Sequence, residues 1–323
     1  MVKVLFIGKY PPIEGGTATA AYWRNKELQK YNFIFEVVTS IPEDNEYKIE
    51  YSETDKHVHL LCEKTPWHIP YSQLFSEKLI SKALEVANIN KIDAVEGNYL
   101  FPYGFAAYVV SKVINRPLIL RHAGSDLYRI STNSMFVTLL KEMASQAKIV
   151  VTNDESKEMW KNMCEKARIV ISSRYVPDPK YFCIAGKHED VVFMSKVTEK
   201  WDKFQLKYYY DFLRRNNYVG NIKVFSNQYS IKVFREFFNS KGYEILENSF
   251  VMPDMVPHIL SNTKYLLLSQ IPVGINEESN IYKEGIVAGC IPVCMENIVH
   301  SKLDFDYFSY IKMQRVIYEE AIR

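Results

Sequence analysis

The sequence predicts an α/β protein made of two Rossmann-like, doubly wound domains. Short apolar runs alternate with amphipathic stretches, and this alternation restarts after Gly186. Strands that alternate with helices form parallel sheets that are covered by helices on both faces. Two such series within 323 residues therefore predict two domains, and the chain is long enough for two cores.

The first series opens with residues 2–8, an apolar run typical of a buried strand. The other predicted strands of this series are 34–39, 57–62, 92–96, 118–121, 148–152 and 168–171. The predicted helices, in which apolar residues recur at helical spacing, are 19–30, 73–88, 105–114 and 135–144.

The second series has predicted strands at 190–194, 221–225, 243–246, 265–269 and 291–294, and predicted helices at 204–215 and 231–238. Proline and glycine interrupt a polar stretch between residues 177 and 189, which is typical of a domain boundary. The predicted domains are 1–183 and 184–305. Residues 306–323 are expected to form a helical tail, for which a return to the first domain is left open.

The composition limits the class of protein. Hydrophobic residues make up 47% and charged residues 24%, and the net charge of +2 does not indicate nucleic acid as a partner. No run approaches the roughly 18 apolar residues of a membrane helix, and the first residues lack the features of a signal peptide. We expect a cytoplasmic protein, with peripheral contact to a membrane surface left open. The five cysteines contain no C-x-x-C pair, so neither a zinc site nor a disulfide framework is expected.

A glycine pair follows the first predicted strand. Gly15 and Gly16 are informative because the chain has only 12 glycines. Glycine lets backbone amides approach a ligand closely, and the helix behind the pair adds the positive end of its dipole. The loop is neither G-x-G-x-x-G nor a P-loop, so it favours a phosphate contact without specifying a dinucleotide or ATP site. A plain tight turn is the alternative.

A second phosphate-facing segment precedes the strand at 291–294. Ser279 or Asn280 can cap the helix that follows, and the amides of Asn280, Ile281 and Tyr282 would then face a phosphate. Glu284, one turn further, can accept hydrogen bonds from ribose hydroxyls, as acidic residues do in other nucleotide sites. The alternative is an acidic helix start on the surface.

Two more segments follow predicted strands, where open α/β sheets bind ligands. Lys196 supplies a point charge suited to a diphosphate, with a solvated charged loop as the alternative. His122 could act on a sugar hydroxyl or the transferring group, and Asp126 could orient a side chain or cap a helix. A structural histidine is the alternative there.

Together these segments resemble the GT-B glycosyltransferases, and among them the retaining family 4. The resemblance rests on five segments in the family's order: K-V-L-F-I-G-x-x-P-P-x-x-G-G from residue 3, D-A-V-E-G-N-Y with F-P-Y-G from residue 93, R-H-A-G-S-D from residue 121, V-P-D-P-K-Y-F from residue 176, and E-G-I-V-A-G-C-I-P-V from residue 284.

The resemblance implies two Rossmann-like domains that face a central cleft and a donor held mostly by the second one. It implies that Glu284 binds the ribose, and that Lys196 with Lys200, or Lys203 in its place, binds the diphosphate. The amides of Asn280 and Ile281 would meet the distal phosphate.

The resemblance further implies that Glu277 or Glu278 contacts the sugar hydroxyls; we take Glu277 as a catalytic candidate and Glu278 as a donor contact. Val251, within residues 250–252, lies where the family contacts the base. Gly16 would approach the diphosphate, and His122 would lie by the transferred sugar.

The sequence also departs from the family pattern. Asn276 stands where the family has its first glutamate, eight positions before Glu284. Ser195-Lys196 replaces glycine-arginine, which keeps the charge but loses the bidentate guanidinium.

We therefore expect a glycosyltransferase that moves a sugar, with retention of anomeric configuration, from a UDP- or GDP-sugar to a glycan, lipid or small-molecule acceptor without a metal. Two alternatives stay open: a nucleotide-sugar 2-epimerase on the same fold, and a non-catalytic nucleotide-sugar-binding protein.

Overall fold

The computed structural model describes residues 1–41, 55–64, 73–122, 125–172, 175–197, 202–248, 250–269, 279–294 and 306–323. These residues form two compact units. Unit 1 holds the described residues up to Tyr175 together with the terminal segment from Asp306 to Arg323, and unit 2 holds those from Val176 to residue 294. The division falls before the predicted boundary at 183.

Unit 1 is a doubly wound α/β structure. Its strands are β1 (Val2–Ile7), β2 (Phe33–Ile41), β3 (Val58–Lys64), β4 (Ala94–Asn98), β5 (Leu118–Arg121), β6 (Ala147–Val151) and β7 (Arg168–Ile171). Its helices before the division are α1 (Gly16–Gln29), α2 (Gln73–Ile89), α3 (Phe105–Val113), α4 (Ser125–Ser131), α5 (Ser134–Gln146) and α6 (Asp154–Met163). A short π-helical turn, Leu100–Gly104, leads into α3.

The strands of unit 1 that the structure describes pair in the order β3-β2-β1-β4-β5-β6-β7, and all of the pairs are parallel. Residues 4–7 of β1 have no exposed surface, as expected for a strand covered on both faces. Aliphatic side chains of the sheet and of α2 and α3 form one continuous core around β1 and β4.

Unit 2 repeats this plan in a smaller form. After the short helix α7 (Pro179–Phe182), its elements are β8 (Asp190–Phe193), α8 (Asp202–Arg215), β9 (Asn221–Phe225), α9 (Gln228–Asn239), β10 (Glu244–Asn248), α10 (Val256–Ser261), β11 (Thr263–Leu267), α11 (Asn280–Val287) and β12 (Ile291–Val293). Among the described residues the strands pair in the order β10-β9-β8-β11-β12, again in parallel. The core is rich in aromatic rings, including Phe193, Tyr209 and Phe234.

The terminal helix α12 (Tyr307–Ile322) belongs to unit 1 and packs against α1, β4 and β5. Its Tyr318 is fully buried between Phe33 and Phe35 of β2, with ring centroids 5.5 and 5.6 Å away, and donates a hydrogen bond to Glu96 of β4. Gln314 donates another to Ser172, at 2.6 Å. The tail is thus an integral layer of unit 1.

Every predicted strand and helix is present, which confirms the two doubly wound series, but some bounds shift. Strand β4 begins at Ala94 instead of residue 92, because Asp93 turns its carboxylate back to accept a hydrogen bond from the Lys3 amide. Helix α1 begins at Gly16, three residues before the predicted start.

Besides the π-helical turn, four α-helices of the described residues were not predicted. Three of them, α4, α7 and α10, have at most 7 residues and are too short to show a helical period. The fourth, α6, buries only Ser156 and Trp160, so its apolar stripe is too narrow to recognise. In the part of the chain that the structure describes, no helix is long and apolar enough to cross a membrane.

Candidate functional site

Unit 1 has its topological switch point between β1 and β4, where the strand order reverses direction. Open α/β sheets bind ligands beyond the carboxyl ends of the strands at such a point. The loop after β1 ends at Gly15, and Gly16 is the first residue of α1. Tyr99 follows β4, and His122 follows β5. The structure therefore brings the predicted first-domain residues to one edge of one sheet.

Gly15 is the N-cap residue of α1 and has φ 118° and ψ 161°. Residues other than glycine rarely adopt this conformation, and glycine has no side chain with which to cap the helix. A Cβ atom there would meet nothing within 4 Å, so only the backbone conformation requires glycine. The positive end of the α1 dipole therefore lies directly behind Gly15.

Tyr99 connects this loop to the neighbouring strands, and the sequence reasoning did not select it. Its hydroxyl lies 3.1 Å from the Thr17 hydroxyl, and the Lys9 ammonium lies 5.1 Å from the centre of its ring. Its backbone has φ 75°, a strained value for a non-glycine residue and one that concentrates at functional sites. Burial, opposed by the Thr17 hydrogen bond, raises the pKa of the Tyr99 phenol. No sequence signal marks such a backbone angle.

His122 is buried and lies against two other groups. Its Nδ1 atom is 3.6 Å from Asp126 Oδ1, and its ring meets the Trp160 ring edge-on with centroids 6.1 Å apart. Asp126 is itself fixed, since its Oδ2 accepts a hydrogen bond from the Leu100 amide at 2.9 Å. The carboxylate and the indole are thus close neighbours of the imidazole.

Unit 2 has its switch point between β8 and β11. Lys196 follows β8, Val251 follows β10, and Ser279 opens the helix after β11. Lys196 and Ser279 thus follow the two strands of the switch point, where this architecture places ligands, whereas Val251 follows the edge strand β10 of the same sheet.

Ser279 is the N-cap of α11, which resolves the two predicted capping alternatives. Its side chain accepts a hydrogen bond from the Tyr282 amide at 3.3 Å, and Asn280 and Ile281 form the first turn. Glu284 lies one turn further and is only 2% exposed. A carboxylate is rarely buried so deeply unless polar groups meet it.

Lys196 is exposed on the loop after β8. Its ammonium lies 5.9 Å from the centre of the Phe250 ring, at the outer limit of a cation–π contact. The positive charge thus lies beside the segment that contains Val251, which was predicted to meet the base. Lys203, the alternative to Lys200, is exposed near the start of α8.

Three predicted site residues, Lys200, Glu277 and Glu278, lie outside the described residues. Lys283, next to Glu284, is also buried, at 7% exposure, and the sequence reasoning did not select it. Within the described ranges, no group of three or more histidine, cysteine or acidic side chains has the arrangement of a metal site. Cys164, Cys183, Cys290 and Cys294 form no disulfide.

No protein-family model matches the chain, and no curated protein sequence matches it. Solved structures do match. A glycosyltransferase from Rickettsia africae is 13% identical over 99% of this chain and 88% of its own, with a TM-score of 0.57. Sucrose-phosphate synthase from Thermosynechococcus elongatus is 10% identical over 100% of this chain and 91% of its own, with a TM-score of 0.56.

A UDP-GlcNAc 2-epimerase from Methanocaldococcus jannaschii is 12% identical over 90% of this chain and 83% of its own, with a TM-score of 0.56. At such low identity these likenesses show the fold alone. Two parallel-sheet α/β units with these neighbours constitute the GT-B fold, which confirms the predicted fold class.

Proposed function

We propose that this chain is a glycosyltransferase that moves a sugar from a nucleoside diphosphate sugar to an acceptor hydroxyl. The observation that carries the proposal is Glu284, a carboxylate that is 2% exposed and lies one turn behind the Ser279 cap of α11. The N-terminus of α11 and the Glu284 carboxylate together supply the two groups that a nucleoside diphosphate needs. The helix N-terminus binds a phosphate, and the acidic group accepts hydrogen bonds from the ribose hydroxyls.

In this proposal Glu284 accepts hydrogen bonds from the ribose hydroxyls. The Lys196 ammonium binds the diphosphate, and the first-turn amides of Asn280 and Ile281 meet the distal phosphate. Val251 contacts the base, while Gly15 and Gly16 let the backbone of unit 1 approach the diphosphate. Support comes from the position of Lys196, the start of α11 and the glycine pair after the strands that form the switch points of their sheets.

The chemistry follows from charge. When the bond between the sugar and the diphosphate breaks, the leaving diphosphate gains negative charge. Lys196 and the N-terminus of α11 stabilise that charge more strongly than they stabilise the bound donor, and this difference is catalytic. We further propose that Lys200 adds a second positive charge and that no metal takes part.

We propose that His122, oriented by Asp126, lies by the transferred sugar, and that Glu277 and Glu278 contact its hydroxyls. Support for the first assignment is the imidazole–carboxylate pair, 3.6 Å apart, at the carboxyl end of β5. We also propose that the reaction retains the anomeric configuration and that the chain belongs to glycosyltransferase family 4. The proposed acceptor is a glycan, a lipid or a small molecule.

The assignment of Glu284 is tested by Glu284→Ala and Glu284→Gln with calorimetric titration of UDP and GDP. Loss of a charged hydrogen-bond acceptor should weaken binding about 10-fold or more, and Gln should restore little of it because the charge is absent. Asp190→Asn is a matched control, because Asp190 is the first residue of β8 and lies at the amino ends of the strands, away from the carboxyl ends that carry the candidate site. Undiminished affinity in both Glu284 variants would refute the ribose contact.

A nucleotide-sugar 2-epimerase is the alternative, because a UDP-GlcNAc 2-epimerase matches the fold at a TM-score of 0.56. The chain is incubated with UDP-sugars or GDP-sugars alone, and the products are separated. An epimerised sugar without added acceptor supports the alternative, whereas slow donor hydrolysis supports glycosyl transfer. A protein that binds the donor and leaves it unchanged, with and without acceptors, is a binding protein.

A further inference from the structure

Buried hydroxyl groups hold the loop of Lys196 at its backbone. The Ser226 hydroxyl, just beyond β9, donates a hydrogen bond to the Ser195 carbonyl. The Ser230 hydroxyl, in the first turn of α9, accepts one from the Val197 amide at 2.9 Å. The backbone is therefore fixed on both sides of Lys196.

Further hydrogen bonds connect the loop of Lys196 to the end of the neighbouring strand β11. The Ser195 hydroxyl lies 2.6 Å from the Ser269 hydroxyl, just beyond β11. The adjacent Leu268 carbonyl accepts hydrogen bonds from Gln205 Nε2, at 3.2 Å, and from the Tyr209 hydroxyl, both on α8. We refer to Ser195, Ser226, Ser230 and Ser269 as the serine network.

The burial of these groups contrasts with that of the lysine they surround. Ser226 is 3% exposed and Ser230 is fully buried, whereas Lys196 is exposed. An ordinary solvated loop satisfies its backbone with water and needs no such groups. A point charge that acts on a ligand gains from a fixed backbone, because supporting hydrogen bonds keep a contact group within about 0.5 Å of its working position.

We infer that Ser226 and Ser230 are positioning residues that hold the backbone at Lys196 so that its ammonium meets the diphosphate of a nucleotide. The inference rests on the proposed function, in which Lys196 binds the diphosphate. Ser195 and Ser269 link this loop to the end of β11, the strand that leads towards α11.

A double-mutant cycle tests the inference. Ser226→Ala, Lys196→Ala and the double variant are titrated with UDP and with GDP by calorimetry. We expect Ser226→Ala to weaken nucleoside diphosphate binding about 10-fold, the scale of one charged hydrogen bond, and to have no further effect when Lys196 is already alanine. An equal loss in both backgrounds overturns the inference, because Ser226 would then act independently of Lys196.

Ser261→Ala is the matched control. Ser261 is also 3% exposed, lies in the same unit, and donates its hydroxyl to a backbone carbonyl, that of His258. We expect its loss to leave nucleotide affinity unchanged. A loss of affinity equal to that of Ser226→Ala shows a general effect on folding and overturns the positioning role.

A measurement without ligand separates this inference from the proposed function. Ser230→Ala removes the acceptor of the Val197 amide, so hydrogen–deuterium exchange at this amide should be faster in Ser230→Ala than in the wild type and unchanged in Ser261→Ala. Unchanged exchange in Ser230→Ala overturns the inference even if UDP or GDP binds. A wild-type protein that binds neither nucleotide contradicts the proposed function and overturns the diphosphate role, while faster exchange in Ser230→Ala still shows that the hydroxyl holds the loop.

Discussion

At the scale of single residues, Cys290 shows how burial sets chemistry. It stands between α11 and β12, is 6% exposed, and points its thiol at the Leu260 carbonyl, 3.3 Å away. Burial disfavours the thiolate and raises the pKa of the Cys290 thiol to about 12. The thiol consequently stays protonated at neutral pH and is a poor nucleophile.

This burial predicts a dependence of stability on pH. Above about pH 9 the unfolded chain releases the Cys290 proton while the folded chain keeps it, so stability falls as pH rises towards 12. Between pH 8 and 10.5 the wild type should lose about 1–2 kcal/mol more unfolding free energy than Cys290→Ala. Urea unfolding at each pH measures the difference. The exposed Cys183→Ala variant should follow the wild type, and parallel curves for all three proteins would contradict the prediction.

At the scale of elements, the approach of α3 to β4 depends on two glycines. A Cβ atom on Gly97 of β4 would lie 2.6 Å from the Gly104 Cα atom and 2.9 Å from the Ala107 Cβ atom. Real Cβ atoms do not come that close to backbone, so the π-helical turn and α3 would have to move. The glycines therefore set the distance between the helix and the sheet at the end of β4, directly before Tyr99.

We expect Gly97→Ala to destabilise the protein by about 1–3 kcal/mol, the usual effect of overpacking a tight contact. Gly220→Ala is a useful comparison, because the atoms nearest to its Cβ belong to the outer end of the Tyr218 side chain and not to backbone. Thermal and urea unfolding of both variants give the values. A Gly97→Ala protein as stable as the wild type would show that α3 shifts without cost.

Element boundaries also show the reach of sequence reasoning. The buried strands and longer helices were predictable because their apolar residues follow a clear period. Helices α4 and α6 were not predictable, since α4 has 7 residues and α6 buries just two of its 10.

At the candidate sites, Gly15, Lys196 and Glu284 could be selected because residue type and position after a strand are visible in the sequence. Tyr99 and Ser226 could not be selected, because what distinguishes them is a backbone angle and a contact between two strand ends. Neither feature is visible in the sequence.

At the scale of the whole molecule, the last helix completes the first unit. Glu96 is fully buried in β4, where it accepts hydrogen bonds from Arg24, at 2.7 Å, and from Tyr318, and lies 3.0 Å from Arg121 Nε. A buried carboxylate of this kind is stable only when fully paired. Burial, with Arg24 opposing it, raises the pKa of the Tyr318 phenol, so the hydroxyl keeps its proton. Residues separated by more than 200 positions thus form one buried cluster.

Tyr318→Ala should therefore destabilise unit 1 by about 3–5 kcal/mol, because it removes a buried ring and one partner of Glu96. Phe308→Ala, on the same helix but 80% exposed, should change stability by less than about 0.5 kcal/mol. Hydrogen exchange resolved by peptide measures both, with increased exchange expected in β2 and β4 and not in β8 or β9. Equal exchange in the two variants would refute a structural role for the tail.

The sequence by itself determined the two doubly wound series, the order of their strands along the chain, and the loops in which ligand-binding residues would lie. Periodicity and residue type are local properties, and the alternation of strands with helices restricts the topology strongly. These properties sufficed for the two doubly wound series and for the selection of Ser279 and Glu284 around the start of α11, while the GT-B fold was expected from the resemblance of five segments to that family.

The tertiary structure alone decided which strands are neighbours and therefore which loops meet. It placed Tyr99 against Thr17, the serine network around Lys196, and the terminal helix on Glu96 of the first unit. Such contacts join residues that lie far apart in the chain. Their formation depends on the packing of several elements at once, and no local pattern in the sequence records it.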